Sequence, residues 1–299
     1  NYNPLATEDD GTCCYNNTDD YIIEQIGEDI DGEVAGDESG HSVSLSSDGN
    51  TVAIGARYND GNGVSSGHVR IYKWNGSAWT QVGADIDGEA VSDDSGWSIS
   101  LSSDGNTVAI GARDNDGNGV SSGHVRIYNY NGASWTQIGA DIDGEEPGDH
   151  LGQSVSLNTD GSIVAIGAYE NDGNGTDAGH VRVFSFDGDN WVQLGEDIDG
   201  EAPYDYNGSS VSLSADGNTV AMGAHGNDES DVEAGHIRIY NWDGNSWVQL
   251  GEDIYGEAVD DWSGWSVSLS SDGSTIAIGS PNNDGNGVNA GHVRVFDIQ

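Results

Sequence analysis

The stretch Gly67-His68-Val69-Arg70-Ile71-Tyr72 decides the fold, because close copies of it return at a constant interval along the chain. The copies begin at Gly123, Gly179, Gly235 and Gly291, so every interval is 56 residues. A fixed repeat of this kind is typical of architectures built from stacked structural units, such as solenoids and propellers. Five units of 56 residues make 280 of the 299 residues.

Within each unit, apolar residues alternate with small or polar ones, which is the period of a β-strand. In the second unit Ser98-Ile99-Ser100-Leu101 alternates, Ser103-Asp104-Gly105-Asn106 supplies a tight turn, and 107–112 alternates again. Two further strands are predicted at 124–128 and 135–139. One face of the inner strands carries Val, Ile and Leu and the other carries Ser, Ala and Gly. Neighbouring sheets can therefore stack as propeller blades.

The two ends of the chain predict how the ring closes. The fifth unit stops at Phe296-Asp297-Ile298-Gln299 without a Trp-x-Gln-x-Gly strand, while Ile23-Glu24-Gln25-Ile26-Gly27 stands one period before Trp79-Thr80-Gln81-Val82-Gly83. We expect the N-terminal strand to complete the last blade. This predicts an all-β domain over 21–299, a closed five-bladed β-propeller of four-stranded antiparallel blades. The alternative is an open part of a six- or seven-bladed ring, with an exposed edge at both ends.

The repeat resembles a known family. Gly96-Trp97-Ser98-Ile99-Ser100-Leu101, followed by Ala109-Ile110-Gly111-Ala112 and Gly123-His124-Val125-Arg126, is similar to the FG-GAP type of repeat. Ile278-Gly279-Ser280-Pro281 comes close to the Gly-Ala-Pro of that family. The resemblance covers 21–299 and implies an extracellular adhesion or recognition propeller, as in integrin-like and microbial surface proteins. Integrin-type repeats bind calcium in a long Asp-rich loop, which is too short here for that site to be carried over.

Residues 1–20 differ from the repeats. Asn1-Tyr2-Asn3-Pro4-Leu5-Ala6 followed by Asp9-Asp10-Gly11-Thr12-Cys13 resembles short Cys-containing repeats of large secreted proteins. We therefore expect the chain to begin inside such a module and to belong to a longer, extracellular or cell-surface protein. Cys13 and Cys14 either form a strained vicinal disulfide or pair at least once outside the chain.

Asn-x-Ser/Thr sequons are candidate glycosylation sites if the host glycosylates secreted proteins. Chance matches are the alternative, because the chain is rich in Asn, Ser and Thr. The four sequons begin at Asn16, Asn75, Asn174 and Asn207.

The charge of the chain excludes several classes of partner. With 52 Asp and Glu against 8 Lys and Arg, the formal net charge is -44. Such a polyanion is repelled by nucleic acid and by anionic membrane surfaces, and no apolar run approaches the ~18 residues of a membrane-spanning helix. We expect cations, other extracellular proteins or glycans as partners.

Acidic loops on one face of the predicted propeller are candidate calcium sites. The loop after the second strand of most units reads Asp-Gly-Asn-Gly, which offers oxygen ligands on a flexible backbone. The alternative is that these residues are solvated turn residues, with the charge serving solubility. The candidate ligands are Asp60, Asp116, Asp172, Asp228 and Asp284.

Three residue types recur in every unit or nearly so, and we interpret them as structural. Each Arg is expected to pair with a carboxylate of a loop or a neighbouring blade, and each Trp to pack between outer strands. The set comprises His68, His124, His180, His236 and His292; Arg70, Arg126, Arg182, Arg238 and Arg294; and Trp79, Trp135, Trp191 and Trp247.

Positions at which the repeats disagree are the stronger functional candidates, because symmetry-locked positions serve the fold. Two such positions should ring the acidic mouth of the central channel, where aromatic faces beside polar groups would suit a carbohydrate. Neutral drift of exposed loop residues is the alternative. One set is His41, Trp97, Gln153, Ser209 and Trp265; the other is Glu38, Asp94, His150, Tyr206 and Trp262.

These observations favour a structural or adhesive module of a larger surface protein, stabilised by calcium. A glycan-binding lectin that uses the channel mouth is the second hypothesis. An enzyme is not expected, because a propeller glycosidase needs paired carboxylates on its central strands. Those strands carry mostly Ser, Val, Ile and Leu.

Overall fold

The computed structural model describes residues 23–299. The predictions for Cys13, Cys14, Asn16 and the N-terminal Cys-containing module therefore lie outside the described residues.

The described chain folds into five antiparallel sheets, one per repeat, and each of the first four has five strands. The first blade comprises β1 (Ser42–Leu45), β2 (Thr51–Ala56), β3 (His68–Trp74), β4 (Trp79–Gln81) and β5 (Ile86–Asp87). The second comprises β6 (Ser98–Leu101), β7 (Thr107–Ala112), β8 (His124–Tyr130), β9 (Trp135–Gln137) and β10 (Ile142–Asp143). The third comprises β11 (Ser154–Leu157), β12 (Ile163–Ala168), β13 (His180–Phe186), β14 (Trp191–Gln193) and β15 (Ile198–Asp199). The fourth comprises β16 (Asn207–Leu213), β17 (Thr219–Ala224), β18 (His236–Trp242), β19 (Trp247–Gln249) and β20 (Ile254–Tyr255). The fifth comprises β21 (Ser266–Leu269), β22 (Thr275–Ser280) and β23 (His292–Asp297).

Each of the first four blades is a four-strand meander in which the third strand also pairs with a short fifth strand, and the fifth blade has the first three strands of this pattern. The inner hairpin of the first blade pairs Ser42 with Gly55 and Leu45 with Val52. Its turn is tight because Gly49 adopts a positive φ of 71° and Asp48 accepts the backbone N–H of Asn50. The predicted strand pattern is confirmed.

Neighbouring blades stack through a bulky face against a small face, as the alternation predicts. Ala53 and Ile71 of the first blade belong to one apolar cluster with Leu101 and Ile110 of the second. The close approach depends on Gly55, since a Cβ there would lie 2.3 Å from the carbonyl oxygen of Gly96. The blades thus share cores that extend from one sheet to the next.

The repeated tryptophans link consecutive outer strands, which confirms their predicted packing role. The Nε1–H of Trp135 donates to the carbonyl of Val82 in the preceding blade at 2.8 Å. Trp191 and Trp247 make the same contact, and Trp79 makes it with Ile26 at 2.9 Å.

Closure of the ring is not confirmed. Residues 23–27 form no strand, and β23 pairs only with β22 among the described residues. Val43 is 64% exposed on the first blade and Val295 is 65% exposed on the last, whereas Leu101 and Leu157 are buried between blades. Exposed faces at both ends are what the open alternative predicts.

The described part of the chain forms no helix long and apolar enough to cross a membrane.

Candidate functional site

The position occupied by Glu38 in the first unit, here called the first variable position, has one backbone conformation and five different side chains. Its residues adopt φ between 53° and 56°, a left-handed region that is uncommon for residues other than glycine. Each carbonyl accepts a hydrogen bond from the backbone N–H three residues later, which is the second variable position. The backbone is thus repeated while the side chains change. The residues are Glu38, Asp94, His150, Tyr206 and Trp262.

The structure adds a third variable position, directly after the second strand of each blade, that the sequence analysis missed. In the first four blades its side chains contact those of the first two variable positions. A comparison of the repeats at intervals of 56 residues finds this position when the residue after the second strand is included. The residues are Arg57, Arg113, Tyr169, His225 and Pro281. We call the three variable positions together the rim.

The rim is charged at the first and second blades. Arg57 forms an ion pair with Glu38 at 2.8 Å, and its guanidinium lies 4.6 Å from the centre of the Trp97 ring. Arg113 lies 3.3 Å from the same ring and donates to Gln153 Oε1 at 3.1 Å. Trp97 is therefore held between two cations, an arrangement favourable to the negative face of an indole.

His150 at the third blade bridges two carboxylates. Its Nδ1 lies 3.0 Å from Asp114 Oδ1 and its Nε2 lies 3.2 Å from Glu170 Oε2. Burial acts to lower the pKa of His150, but its close pairing with the carboxylates of Asp114 and Glu170 outweighs burial and raises the pKa to about 9. Nearby, burial and the charge of Asp114 raise the pKa of Asp94 to about 6. At neutral pH His150 is a cation in this part of the rim.

The rim is aromatic at the fourth and fifth blades. Tyr206 stacks on His225 with ring centroids 5.3 Å apart, and Trp262 stacks on Trp265 at 5.5 Å. His225 joins the two pairs, since its ring lies 5.1 Å from Trp265. Burial lowers the pKa of His225 to about 4, so this group of rings is uncharged at neutral pH. Trp265 remains 50% exposed.

Side-chain contacts thus connect most of the predicted rim residues from His41 to Trp265, whereas the hydroxyl of Ser209 donates to the carbonyl of Gly223 at 3.1 Å. His41 contacts Trp97 at a centroid distance of 4.8 Å, and Tyr169 connects His150 to Tyr206 at 5.8 and 6.0 Å. The surface offers ion-pairing groups on one side and a stacking platform on the other. Such a surface can bind a partner with an apolar face next to polar or charged groups.

The predicted calcium ligands each lie in a separate loop. Asp116 Oδ1 accepts the backbone N–H of Ser121 at 2.8 Å, and Asp60, Asp172, Asp228 and Asp284 accept the equivalent N–H groups. None of the five belongs to a group of three or more close metal-ligating side chains within residues 23–299. These aspartates shape their loops in the structure, and calcium binding by them stays a prediction.

The repeated arginines make the predicted pairs with carboxylates. Arg126 Nη1 lies 3.4 Å from Glu89, and its Nη2 donates to the carbonyl of Asp87 at 2.7 Å. The other four repeats have the same pair of contacts.

The repeated histidines lie beside these arginines, at the start of the third strand. Burial lowers the pKa of His124, His180 and His236 to about 4. These three histidines and His68 face acidic side chains in four clusters. The clusters are Glu33–His68–Asp85, Glu89–His124–Asp141, Glu145–His180–Asp197 and Glu201–Glu229–His236–Asp253.

The three described sequons differ in accessibility. Asn75 is exposed in a turn and remains a candidate. Asn174 donates to the carbonyl of Gly200 at 2.7 Å, a contact that Asn62 and Asn118 repeat. Asn207 is fully buried, with its Nδ2 bonded to the carbonyl of Ile198. The fold leaves no space for a glycan at the buried Asn207, and glycosylation of the sequons stays a prediction.

A cavity of about 710 Å³ lies on the first blade and borders the rim, because the guanidinium of Arg57 lies 4.3 Å from the ring of Tyr58 in its lining. Its lining includes Glu33, Asp37, Val64 and His68. It lies at the open end of the array of blades.

Comparison with known proteins identifies the repeat and the fold. The FG-GAP repeat pattern matches residues 30–72, 141–184 and 256–296. No curated protein matches the chain. Among solved structures, the periplasmic gluconolactonase PpgL of Pseudomonas aeruginosa is similar at 16% identity and a TM-score of 0.54. The match covers 79% of this chain and 64% of that one, so this chain spans less than two thirds of its length.

A putative TolB from Agrobacterium tumefaciens is similar at 14% identity and a TM-score of 0.49, over 86% of this chain and 76% of that one. Both neighbours are propeller-like proteins. At 16% identity, the similarity to PpgL indicates a shared fold and carries no activity over to this chain.

Proposed function

From the premise that this chain is an FG-GAP repeat protein built of propeller blades, we propose that it is an extracellular adhesive module. The rim is its contact surface. The observation that supports this proposal is the convergence of three variable positions on one continuous surface. Where the backbone is repeated and the side chains change, the fold does not dictate the side chains, and recognition of a partner gives a reason for the change.

The distribution of cations supports the same surface. Five of the eight Lys and Arg residues are the repeated arginines that pair with loop carboxylates. Of the other three, Arg57 and Arg113 lie on the rim. In a chain of net charge -44, these two arginines and His150 place three of the few cations on the rim, where they can contribute to contacts with a polar partner.

Adhesion can be tested with beads coated with the full chain and applied to intact cells of the source organism. Beads carrying wild-type protein should attach, and beads carrying Trp265→Ala should not. Val248→Ala is a matched control, because Val248 is similarly exposed but lies on the outer strand β19. Equal attachment of all three proteins would contradict the proposal.

A glycan-binding lectin is the second candidate, favoured by the stacked rings of Trp262 and Trp265. Such a platform suits the apolar C–H face of a sugar, and Glu233, which accepts the indole N–H of Trp262 at 2.9 Å, supplies a polar neighbour. A glycan array probed with the wild-type chain tests this candidate. Specific binding that Trp265→Ala abolishes supports a lectin, and silence with and without calcium rejects it.

We propose no catalytic activity for the chain, although one structural neighbour is a gluconolactonase. Purified protein incubated with gluconolactone should release gluconate no faster than buffer. Turnover that a rim substitution abolishes would contradict this part of the proposal.

Calcium is proposed as a stabilising ion of the acidic loops. If calcium binds only the folded state, the free energy of unfolding should rise by about 2.7 kcal/mol at a hundredfold excess over the dissociation constant. Thermal unfolding with calcium and with chelator, at fixed ionic strength, checks this expectation. An unchanged melting temperature would reject it.

For the fold, we propose that the ring closes at five blades in solution. The contact of Trp79 with Ile26 supports closure. It holds residues 23–27 beside the first blade in the same way that the contact of Trp135 with Val82 holds the fourth strand of the first blade beside the second blade. If residues 23–27 pair with β23 in the register that β4 has with β3, Glu24 lies opposite Asp297. In the open alternative, the faces that carry Val43 and Val295 stay exposed.

Closure can be tested by cross-linking in a background without the native cysteines. Glu24→Cys with Asp297→Cys should form an intramolecular disulfide if these residues become cross-strand neighbours. The control is Lys73→Cys with Thr80→Cys, which are paired within the first blade. A disulfide in the control pair alone would favour the open form.

A further inference from the structure

A second cluster of polar side chains lies outside the rim, where β18 begins in the fourth blade. It comprises Glu201, Glu229, His236 and Asp253, and one ligand atom from each lies within 4.8 Å of the others. His236 is fully buried, and neither of its ring nitrogens has a hydrogen-bond partner among the described residues. Its Nδ1 lies 3.6 Å from Asp253 Oδ2 and 3.9 Å from Glu201 Oε2, both longer than a hydrogen bond.

This arrangement of His236 requires an explanation, since buried nitrogens are almost always hydrogen-bonded. A cation held between the imidazole and the carboxylates would provide one. An imidazole nitrogen of His236 would then coordinate the cation in place of a hydrogen bond. The positive charge of the cation would offset the mutual repulsion of Glu201, Glu229 and Asp253.

Two of the carboxylates are oriented from outside the cluster. Glu201 Oε1 lies 3.7 Å from Arg238 Nη1, and Asp253 Oδ1 accepts from Gln249 Nε2 at 2.6 Å. The second oxygen of each carboxylate is the one that faces His236. Contacts of this kind fix the orientation of metal ligands in proteins.

The fourth blade also departs from the repeat at this cluster. Glu229 stands where all other units have glycine, and Tyr255 stands where the four earlier copies of this position have aspartate. Tyr255 Oη donates to Glu229 Oε2 at 2.9 Å and lies 3.3 Å from Asp253 Oδ2. Two changes that touch each other thus add a fourth ligand and position it. The glycines are Gly61, Gly117, Gly173 and Gly285, and the aspartates are Asp31, Asp87, Asp143 and Asp199.

The geometry points to a divalent transition-metal site formed by Glu201, Glu229, His236 and Asp253. One imidazole nitrogen and three carboxylate oxygens suit an ion such as Zn²⁺, with bonds of about 2.0–2.2 Å. Calcium takes oxygen ligands, so His236 separates this site from the calcium proposed for the loops. The three-ligand clusters of the first three blades would bind the same ion more weakly. This site is independent of recognition by the rim.

Isothermal titration of the full chain with zinc chloride, in the presence of excess calcium, tests the site. We expect one tight zinc site in the wild-type protein, and at least a tenfold weaker affinity in Glu229→Gly. This substitution restores the residue of the other repeats and should preserve the fold. Asp231→Gly is the matched control, since it removes an exposed carboxylate from the same loop and should leave zinc affinity unchanged.

Two results would overturn the proposal. Equal weakening by Glu229→Gly and Asp231→Gly would mean that zinc responds to the overall negative charge of the loop. Complete displacement of zinc by excess calcium would mean that the imidazole does not take part in binding.

Discussion

Arg182 and Arg113 show how one residue type serves two different regions of the molecule. Arg182 is buried, donates to the carbonyl of Asp143 at 2.6 Å and lies 3.5 Å from Glu145, and every other repeat has the same arrangement. Arg113 lies against Trp97 and bonds to Gln153 in a manner found in one repeat only. The comparison teaches that interactions common to all units hold the blades together, whereas those of the rim are free to differ.

The largest effect is expected in the shared core. Ile166 is fully buried in a cluster that joins the second and third blades, so Ile166→Ala should lower the free energy of unfolding by about 2–5 kcal/mol. Val248→Ala, on an exposed outer strand, should change it by less than about 0.5 kcal/mol. Urea denaturation of both variants measures the difference. Equal losses would mean that the core between blades does not dominate stability.

A smaller effect is expected from the ion-pair network of the rim. Since the pKa of His150 rises from 6.5 in the unfolded chain to about 9 in the fold, protonation of His150 stabilises the folded state. This contribution, at most about 3 kcal/mol, should be fully present below pH 6.5 and lost as the pH rises through about 9.

Thermal unfolding between these pH values measures that loss, with His150→Gln as the comparison. The substitution should remove the corresponding part of the decline in stability toward alkaline pH. Identical pH profiles of the two proteins would show that Asp114 and Glu170 do not hold His150 in its charged form.

The sequence predicted the parts of the structure that depend on local pattern. The strand at Thr107–Ala112 followed from alternation. The pairing of Arg126 with a carboxylate was expected because five arginines share one place in the repeat, and the structure identifies that carboxylate as Glu89. The rim was predicted in part, since Trp97 and Trp265 stand out when the repeats are compared.

The remaining features depend on contacts between blades. His150 is charged because Asp114 and Glu170, from the loops of two neighbouring blades, face its two nitrogens. Glu229 lies close to Glu201 and Asp253, which belong to other segments of the chain. The sequence of its own loop therefore could not predict that Glu229 lies beside His236. Closure depends on how the small rotation of each blade accumulates over the array, which no local pattern specifies.

The most direct test of the division between fold and recognition uses two tryptophans in one experiment. Trp247→Phe removes the hydrogen bond to the carbonyl of Leu194 and should lower the free energy of unfolding by about 1–3 kcal/mol while cell attachment is kept. Trp265→Ala should abolish attachment and leave the free energy of unfolding nearly unchanged. If each substitution reduced attachment and stability together, the repeated contacts and the rim would not have the separate roles assigned to them.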